Sequence, residues 1–290
     1  MKTGFIGAGK AGCSLGKYFS EMTGRAGIYV TGYYSLIEED ARWAAAFTGS
    51  TDYRTVNEVI AASETIILST PDGAIKKVWD SLDKSIIKGR IFCHLSGSLS
   101  SDVFSGIEEY GGYPISIHPM FAFSDKESVY RQLNQISFTL EGNSYAVSEW
   151  KKIFQLLGNP VVEIGKENKS RYHAAASLLS NHVIAVLEEG YRLLGECGFS
   201  KEEAREFSSA LVRDNVEHVI CSGGAAALTG PIERGDCETV GRHISVLDDA
   251  SRQIYISCGR QLLALAKRKH PDRDYEDMDK LMKNISGTEQ

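Results

Sequence analysis

Three glycines near the start of the chain have a spacing that suits phosphate binding. They follow a short apolar stretch, Thr3 to Ile6, and lie within the run Gly7-Ala8-Gly9-Lys10-Ala11-Gly12. The first glycine permits a tight turn, the second lets backbone approach a pyrophosphate, and the third allows close packing of helix on strand. The run therefore predicts a strand, a turn and a helix whose N-terminus binds the phosphates of a dinucleotide. The alternative is a turn of this type that binds no ligand.

The next strand bears on the choice between NAD and NADP. The segment Ile28 to Tyr34 predicts this strand, whose end in an NAD enzyme usually carries an acid for the ribose 2′-hydroxyl. No acid follows here, which favours NADP over NAD. Ser35 is then predicted to donate to a 2′-phosphate, with Lys10 or Arg42 as the cation. The alternative is that Ser35 only caps the helix beginning at Glu38.

Polar residues follow two further apolar strands. Thr70 and Pro71 end the first of them and are predicted to contact the cofactor, while Ser96 and Gly97 follow the second. Ligands of doubly wound sheets bind beyond the carboxyl ends of the strands. We therefore expect Ser96 to contact the cofactor, and Ser96 and Gly97 to hold a substrate carboxylate through a hydroxyl and a backbone N–H. Small turn residues with no such role are the alternative.

Histidine is the residue type best suited to exchange a proton near neutral pH. His118 follows a predicted strand, Tyr113 to Ile117, and is the first candidate for general acid or base and for substrate contact. Its alternative role is structural, as a side chain that bonds a backbone carbonyl before Pro119. His94 is a weaker candidate, because it can simply orient the Ser96 loop.

Polar residues also lie on a long predicted helix from Asn168 to Cys197. Positions seven apart lie near one face of a helix, so His173 and Ser180 are expected to project together, with Asn181 one step round. We assign His173 and Asn181 to catalysis and Ser180 to substrate binding. The alternative places His173 in an interhelical core.

A second candidate for substrate binding follows a glycine-rich break. Arg234 lies between Gly230 and Asp236 and is expected to form a bidentate clamp on an anionic substrate. An Arg234–Asp236 pair that stabilises the loop explains the same residues equally well. Asp236 is also the predicted N-cap of a long helix that runs towards His270.

The elements that carry these residues predict two domains. Alternating strands and helices over residues 1–165 predict a doubly wound α/β domain that binds the nucleotide, and helices alone over residues 166–290 predict an all-α domain. With 290 residues and a net charge of −6, the chain has no basic face for nucleic acid. Neither a membrane-spanning run nor Cys/His spacing for a metal is found, so we expect a cytoplasmic protein without a metal site.

Four motifs carry a resemblance that spans nearly the whole chain. They are His94-Leu95-Ser96-Gly97, Ser116-Ile117-His118-Pro119-Met120, Tyr172-His173-Ala174-Ala175-Ala176 with Ser180-Asn181, and residues 227–236. The chain resembles NADP oxidoreductases that join a Rossmann-like domain to a C-terminal domain of unknown function. They belong to the 6-phosphogluconate dehydrogenase-like superfamily, with pyrroline-5-carboxylate reductases and β-hydroxyacid and prephenate dehydrogenases. The resemblance implies a Rossmann sheet followed by an all-α domain, NADP as cofactor and a homodimer formed through that domain.

One departure limits what the resemblance transfers. A β-hydroxyacid dehydrogenase has its catalytic lysine four residues before an asparagine, whereas Lys169 is followed four residues on by His173. We therefore predict an NADP-dependent oxidoreductase of a small anionic hydroxy, keto or imino compound, with no lysine assigned to the chemistry. The alternative is a non-catalytic NADP-binding sensor or scaffold, and a flavin or deazaflavin partner also stays open.

Overall fold

The computed structural model describes residues 1–284. Within them, eight strands form one sheet, with the bounds β1 Lys2–Ile6, β2 Tyr29–Tyr34, β3 Thr51–Asp52, β4 Thr65–Leu68, β5 Ile91–His94, β6 Tyr113–Pro119, β7 Phe138–Gly142 and β8 Val161–Glu163. The α-helices are α1 Lys10–Glu21, α2 Thr23–Ala26, α3 Glu38–Thr48, α4 Val56–Ala62, α5 Asp72–Ser81, α6 Ser144–Leu157, α7 Lys169–Leu178, α8 Asn181–Glu196, α9 Lys201–Ser222, α10 Gly224–Ala227, α11 Pro231–Arg234, α12 Cys237–Val246, α13 Asp249–Lys269 and α14 Glu276–Asn284.

The sheet has the order β3-β2-β1-β4-β5-β6-β7-β8. All neighbouring strands are parallel except β6 and β7, which pair antiparallel. The order reverses between β1 and β4, which is where a doubly wound sheet binds its ligand. The predicted α/β class is confirmed. The two-residue strand β3 lacks a detectable sequence pattern, because it has too few residues to show alternation.

Alternate residues of the central strands supply the two cores of the sheet. On β4, Ile67 packs with Phe5 and the residues of α1, α3 and α6, while Ile66 and Leu68 pack with Trp79 on the opposite face. Because both faces are covered, the central strands are apolar throughout, as a parallel sheet requires. This double layer fixes the carboxyl ends of β1, β4, β5 and β6 at one edge.

By internal contacts the chain divides into two compact units, Met1–Ser180 and Asn181–Gln290. The predicted domain boundary near Gly165 precedes this division, so α7 belongs to the first unit. The second unit is helical throughout its described residues, and its core gathers apolar residues of α11 to α14, among them Ile232, Val240 and Met278.

Two long helices predicted from the sequence are each broken into two. The first ends at Leu178 and resumes at Asn181. The Ser180 hydroxyl donates to the carbonyl of Ala176 at 2.7 Å, so a side chain occupies an acceptor near the helix end. Ser180 therefore lies outside a helix and does not share a helical face with His173.

The second predicted long helix stops at Val246 and restarts at Asp249. Asp236 caps its first part as predicted, accepting from the N–H of Thr239 at 3.0 Å. Asp248 caps the second part in the same way, accepting from Ser251 N–H at 2.9 Å. A second N-cap residue inside the pattern starts a new helix, because its side chain satisfies N–H groups that a continuous helix would pair.

Residues 1–284 contain neither a helix suited to span a membrane nor a cluster of metal-ligating side chains. No helix among these residues is long and apolar enough to cross a membrane. In the same part of the chain, no group of three or more His, Cys, Asp or Glu side chains is arranged to hold a metal ion.

Candidate functional site

The packing of the turn after β1 requires two of its three glycines. Gly7 has a φ of +105°, and a Cβ there would lie 3.0 Å from the carbonyl carbon of Ser69. A Cβ at Gly12 would lie 2.9 Å from the Ser69 Cβ, so this glycine lets α1 approach the loop after β4. At Gly9, by contrast, the nearest atom to a Cβ is 3.9 Å away. The chain's own packing therefore does not require a glycine at position 9.

The start of α1 is suited to an anion. Gly9 is the N-cap and has no side chain to accept from the first turn, whose residues include no acid. Gly9 and Lys10 are exposed. Ala8 and Ala11 are the other two residues of the run from Gly7 to Gly12. The N–H groups at this helix start and the helix dipole both favour a negative group in the space above Gly9.

The loop after β4 lies against this turn. Ser69 donates its N–H to the Ile6 carbonyl and its hydroxyl to the Gly7 carbonyl, each at 2.9 Å. The hydroxyl of Thr70 is buried and has no hydrogen-bond partner within the described residues. A buried polar atom without a partner is uncommon, so Thr70 is a place where a ligand group fits. Pro71 follows it and is the N-cap position of α5.

Two arginines from different elements lie beside Glu38, at the start of the helix that follows β2. Ser35 accepts a hydrogen bond from the N–H of Ile37 at 3.3 Å and does not cap α3, whose N-cap is Ile37. Arg42 lies 3.9 Å from the carboxylate of Glu38, and Arg54, which follows β3, forms an ion pair with the same carboxylate. Arg54 is absent from the predicted site because the pairing of β3 with β2 was not foreseen.

The loop after β5 is fixed by its own serines. The Ser96 hydroxyl donates to Asp72 at 2.6 Å and accepts from the N–H groups of Ser98 and Leu99. The Ser98 hydroxyl also donates to Asp72, at 3.1 Å. The Ser96 hydroxyl is thus engaged within the protein, which argues against its predicted ligand contacts.

His94 orients the same loop from beneath. Its Nδ1 accepts from the N–H of Ser96 at 3.2 Å, so its Nε2 carries the proton and donates to the carbonyl of Ser100, also at 3.2 Å. The ring is fully buried, and burial lowers its pKa to about 4. His94 therefore stays neutral near pH 7 and has the orienting role considered for it.

Lys169 lies beneath this loop and is almost completely buried, with 2% of its surface exposed. Its Nζ donates to the Ser96 carbonyl at 2.9 Å and to the Ser116 hydroxyl at 2.7 Å. Burial lowers its pKa to about 8, against the opposing effect of the Glu141 charge. Lys169 therefore contacts the loop after β5 and is not free to reach a ligand.

His118 and two side chains of α7 converge beside Gly97. His118 Nδ1 and the Tyr172 hydroxyl form a hydrogen bond of 2.7 Å, and the rings of His118 and His173 are 5.8 Å apart, nearly perpendicular. A Cβ at Gly97 would lie 2.8 Å from His118 Nε2 and would also collide with His173 Nδ1. The structure thus brings together three predicted residues and adds Tyr172.

Burial makes His118 a weak base. Desolvation, followed by the nearby charge of Lys169, lowers its pKa to about 4. Burial also raises the pKa of Tyr172. Near pH 7 the pair therefore consists of a neutral imidazole and a neutral phenol that share one hydrogen bond. Such a pair can transfer a proton although neither residue is charged at rest.

Of the remaining predicted residues, Ser180 ends the first unit, while Asn181 and Arg234 belong to the second. Asn181 begins α8, and both it and Ser180 are exposed. Arg234 is exposed and forms no ion pair with Asp236 in the described part of the chain. Asp236 caps α12, and the hydrogen bond from the Thr239 N–H, followed by the charge of Arg234, lowers the pKa of the Asp236 carboxyl without a direct ion pair to Arg234.

The backbone beside Arg234 is held by residues at the end of α13 and just after it. Lys269 donates to the Leu228 carbonyl and Arg273 to the Glu233 carbonyl, each at 2.7 Å. His270 also bonds the Glu233 carboxylate. These contacts fix the segment while leaving the Arg234 guanidinium exposed.

The sheet order and the turn after β1 define a protein of the Rossmann type. Residues 1–119 match the family model of a Rossmann-like domain. Residues 136–262 match the family described as a domain of unknown function, DUF2520. The chain therefore contains a region similar to the Rossmann-like domain followed by a region similar to DUF2520, the combination that the sequence motifs predict.

Solved structures share this architecture over most of the chain. A Thermotoga maritima protein is 25% identical, with a TM-score of 0.71 over 92% of this chain and 99% of that one. A Bacteroides fragilis protein, described as a candidate NADP oxidoreductase, is 23% identical, with a TM-score of 0.69 over 91% and 98%. A Plasmodium falciparum pyrroline carboxylate reductase with NADP bound is 15% identical, with a TM-score of 0.60 over 93% and 97%. No curated protein matches the chain.

Proposed function

We propose that this protein is an NADP-dependent oxidoreductase that transfers a hydride to or from a small anionic hydroxy, keto or imino compound. The observation that carries the proposal is Gly9, whose missing side chain leaves open space at the start of α1. The unpartnered Thr70 hydroxyl supports it independently. The residues that would hold the cofactor are Gly7 to Gly12 together with Thr70 and Pro71. The structural relatives named as NADP proteins support the same cofactor.

Arg42 and Arg54 support a preference for NADP over NAD. Both guanidinium groups lie near Glu38, at the start of the helix that follows β2, where a 2′-phosphate would need cations. We expect NADPH to bind more tightly than NADH, and Arg54→Met to reduce this difference. Intrinsic-fluorescence titration with both nucleotides measures it, and equal dissociation constants in the wild-type protein would contradict the preference.

The bound nicotinamide supplies or accepts the hydride, and the protein must handle the accompanying proton. His118 and Tyr172 are proposed to do this as a pair, because their hydrogen bond connects a proton donor to an acceptor beside Gly97. His173 lies next to the pair and is proposed to contact the substrate. Asn181 stays a proposal for catalysis, and Ser180 and the exposed Arg234 stay proposals for binding the anionic group of the substrate.

Turnover is the property that separates an enzyme from a non-catalytic NADP-binding protein. Purified protein should first be titrated with NADPH and then tested for NADPH oxidation with a panel of keto and imino acids. Saturable binding with turnover is the expected result. Saturable binding without turnover on a wide panel would favour the sensor, and no binding would remove the proposal.

We also propose that the protein is a cytoplasmic homodimer formed through its helical unit. Large apolar side chains on α9 support the dimer, since Phe207 is 73% exposed, Leu211 67% and Ile220 72%. Phe207 and Leu211 are four positions apart and so lie on one face of the helix. An apolar face of this kind is typical of a surface that a protein partner covers.

A further inference from the structure

The peptide group between Ser96 and Gly97 is held on one side only. The Ser96 carbonyl accepts from Lys169 Nζ at 2.9 Å and from the Ser116 hydroxyl at 3.3 Å. Lys169 and Ser116 are both buried, so the carbonyl points towards the interior.

The N–H of the same peptide must then point the other way. A trans peptide is planar, with its C=O and N–H on opposite sides, and no cis peptide is present in the described residues. The Gly97 N–H has no acceptor within residues 1–284. It lies on the residue that His118 Nε2 and His173 approach. A free donor is therefore presented next to the two imidazoles.

We propose that the Ser96–Gly97 peptide is a built hydrogen-bond donor site for a carboxylate or carboxamide oxygen of a bound ligand, and that Lys169 is its positioning residue. The proposal rests on the proposed function, because the ligand is either the cofactor's carboxamide or the carboxylate of the substrate. Lys169 acts through the peptide and does not itself touch the ligand.

Two further buried groups hold the rest of the loop. His94 binds both the Ser96 N–H and the Ser100 carbonyl. The Glu141 carboxylate accepts from the Ser101 N–H and the Ser101 hydroxyl, each at 2.7 Å. With Lys169, these contacts fix the loop at both ends, so the Gly97 N–H needs no reorganisation when an oxygen arrives.

The charge of Lys169 also strengthens the donor. A hydrogen bond from a buried ammonium polarises the carbonyl that accepts it, and the N–H of the same peptide becomes a better donor. This effect is present while Lys169 is protonated and is lost as the pH rises through its pKa of about 8. The charged or titratable groups that face Lys169 from the neighbouring elements are Asp72, Cys93, His94, His118 and Glu141.

An NMR experiment on the full ¹⁵N-labelled chain tests the polarised peptide without any ligand. We expect the Gly97 amide proton to shift upfield with a midpoint near pH 8 in the wild-type protein. The step should be missing in Lys169→Met. In Lys169→Arg the Gly97 amide proton should stay at its low-pH position across the titration, because the guanidinium remains charged. A wild-type Gly97 resonance that does not respond between pH 7 and about 9 would overturn the role of Lys169.

Ligand titrations on the same sample test the donor site. The probes are NADPH, 2′-phospho-ADP-ribose, which lacks the nicotinamide ring, and the carboxylates L-lactate and L-proline in the presence of NADP. If the site binds the carboxamide, NADPH moves the Gly97 amide proton downfield and 2′-phospho-ADP-ribose does not. If it binds a substrate carboxylate, L-lactate or L-proline moves it. A Gly97 amide proton that no probe moves overturns the site.

The affinity of folded variants for the same probes distinguishes a positioning role of Lys169 from a role in folding alone. Lys169→Met should weaken the responding probe about tenfold while 2′-phospho-ADP-ribose binds as before. Lys166→Met, three residues earlier and exposed, is the matched control, and Ser116→Ala removes one of the two carbonyl donors if Lys169→Met does not fold. Unchanged affinity in both folded variants contradicts the proposal. If no nucleotide binds the wild-type chain, the proposed function fails, while the pH titration still decides the role of Lys169.

Discussion

At the scale of single residues, the proposed proton transfer depends on the pairing of His118 with Tyr172. Their hydrogen bond of 2.7 Å is formed in a half-buried position where His118 has a pKa of about 4. An imidazolium is therefore scarce at neutral pH, and a neutral donor must supply the proton. In the proposed reaction, Tyr172 is protonated at neutral pH and can donate its proton, and His118 orients the Tyr172 hydroxyl. Neither residue is then sufficient without the other.

We expect His118→Asn to lower turnover by about 10² to 10⁴, the usual contribution of general acid–base catalysis, while NADPH affinity is unchanged. Asparagine can still bond Tyr172, but it cannot accept and release a proton. Steady-state kinetics and nucleotide titration on one preparation measure both effects.

His218→Asn is the matched control, because His218 is an exposed residue of α9 whose only salt-bridge partner given by the structure is Asp214. Near-normal turnover in His118→Asn would remove His118 from the chemistry. A parallel loss of NADPH affinity would instead indicate that His118 supports the cofactor site.

At the scale of elements, two glycines of the turn between β1 and α1 have different roles, Gly12 in packing and Gly9 in the proposed ligand binding. A Cβ at Gly12 would overlap Ser69, whereas the nearest protein atom to a Cβ at Gly9, the Ser69 carbonyl oxygen, is 3.9 Å away and leaves room for a methyl group. Gly9 also has an extended backbone, with a φ of −77° that any residue can adopt. Two glycines three positions apart are thus required for different reasons.

We therefore expect Gly9→Ala to fold with nearly wild-type stability but to bind NADPH much more weakly, because the added methyl occupies the phosphate position. Gly12→Ala should lower the free energy of unfolding by about 1 to 3 kcal/mol, because its Cβ overpacks the contact between α1 and the loop after β4. Denaturant unfolding and NADPH titration of both variants measure the difference. Equal NADPH affinity in Gly9→Ala and the wild-type chain would count against a pyrophosphate at this turn.

At the scale of the whole molecule, the exposed face of α9 predicts association. Light scattering at micromolar concentration should give twice the chain mass of 31.8 kDa. The double variant Phe207→Glu and Leu211→Glu should reduce this to one chain mass, because charges would replace the apolar contact. A monomeric wild-type protein would contradict the proposed dimer.

The buried histidines predict that acid weakens the fold. The pKa values of His94 and His118 fall from 6.5 to about 4 on folding, so the unfolded chain binds more protons between these values. The free energy of unfolding should therefore decrease as the pH falls from 6.5 towards 4, by about 2 kcal/mol for His94 alone. Urea titrations at pH 7, 5.5 and 4.5 measure this, and an unchanged midpoint would show that the histidines are accessible to protons in the folded chain.

The sequence was sufficient for most strands and for the helix caps. The N-cap at Asp236 is present as predicted, because capping depends on residues only three positions apart. The sequence was insufficient for the breaks after Leu178 and Val246. At both breaks a polar side chain bonds a backbone group that a continuous helix would pair. The periodicity of the apolar residues does not show whether the continuous or the interrupted helix is more stable.

The sequence by itself determined the fold class and the glycine turn, because strand and helix periodicity and three-residue spacings are local properties. It also placed His118, His173 and Gly97 among the candidates. Only the tertiary structure decided that the Ser96 hydroxyl and Lys169 are engaged internally and that Tyr172 pairs with His118. These contacts join residues 24 to 73 positions apart, and they depend on strand order and burial, which no local pattern specifies.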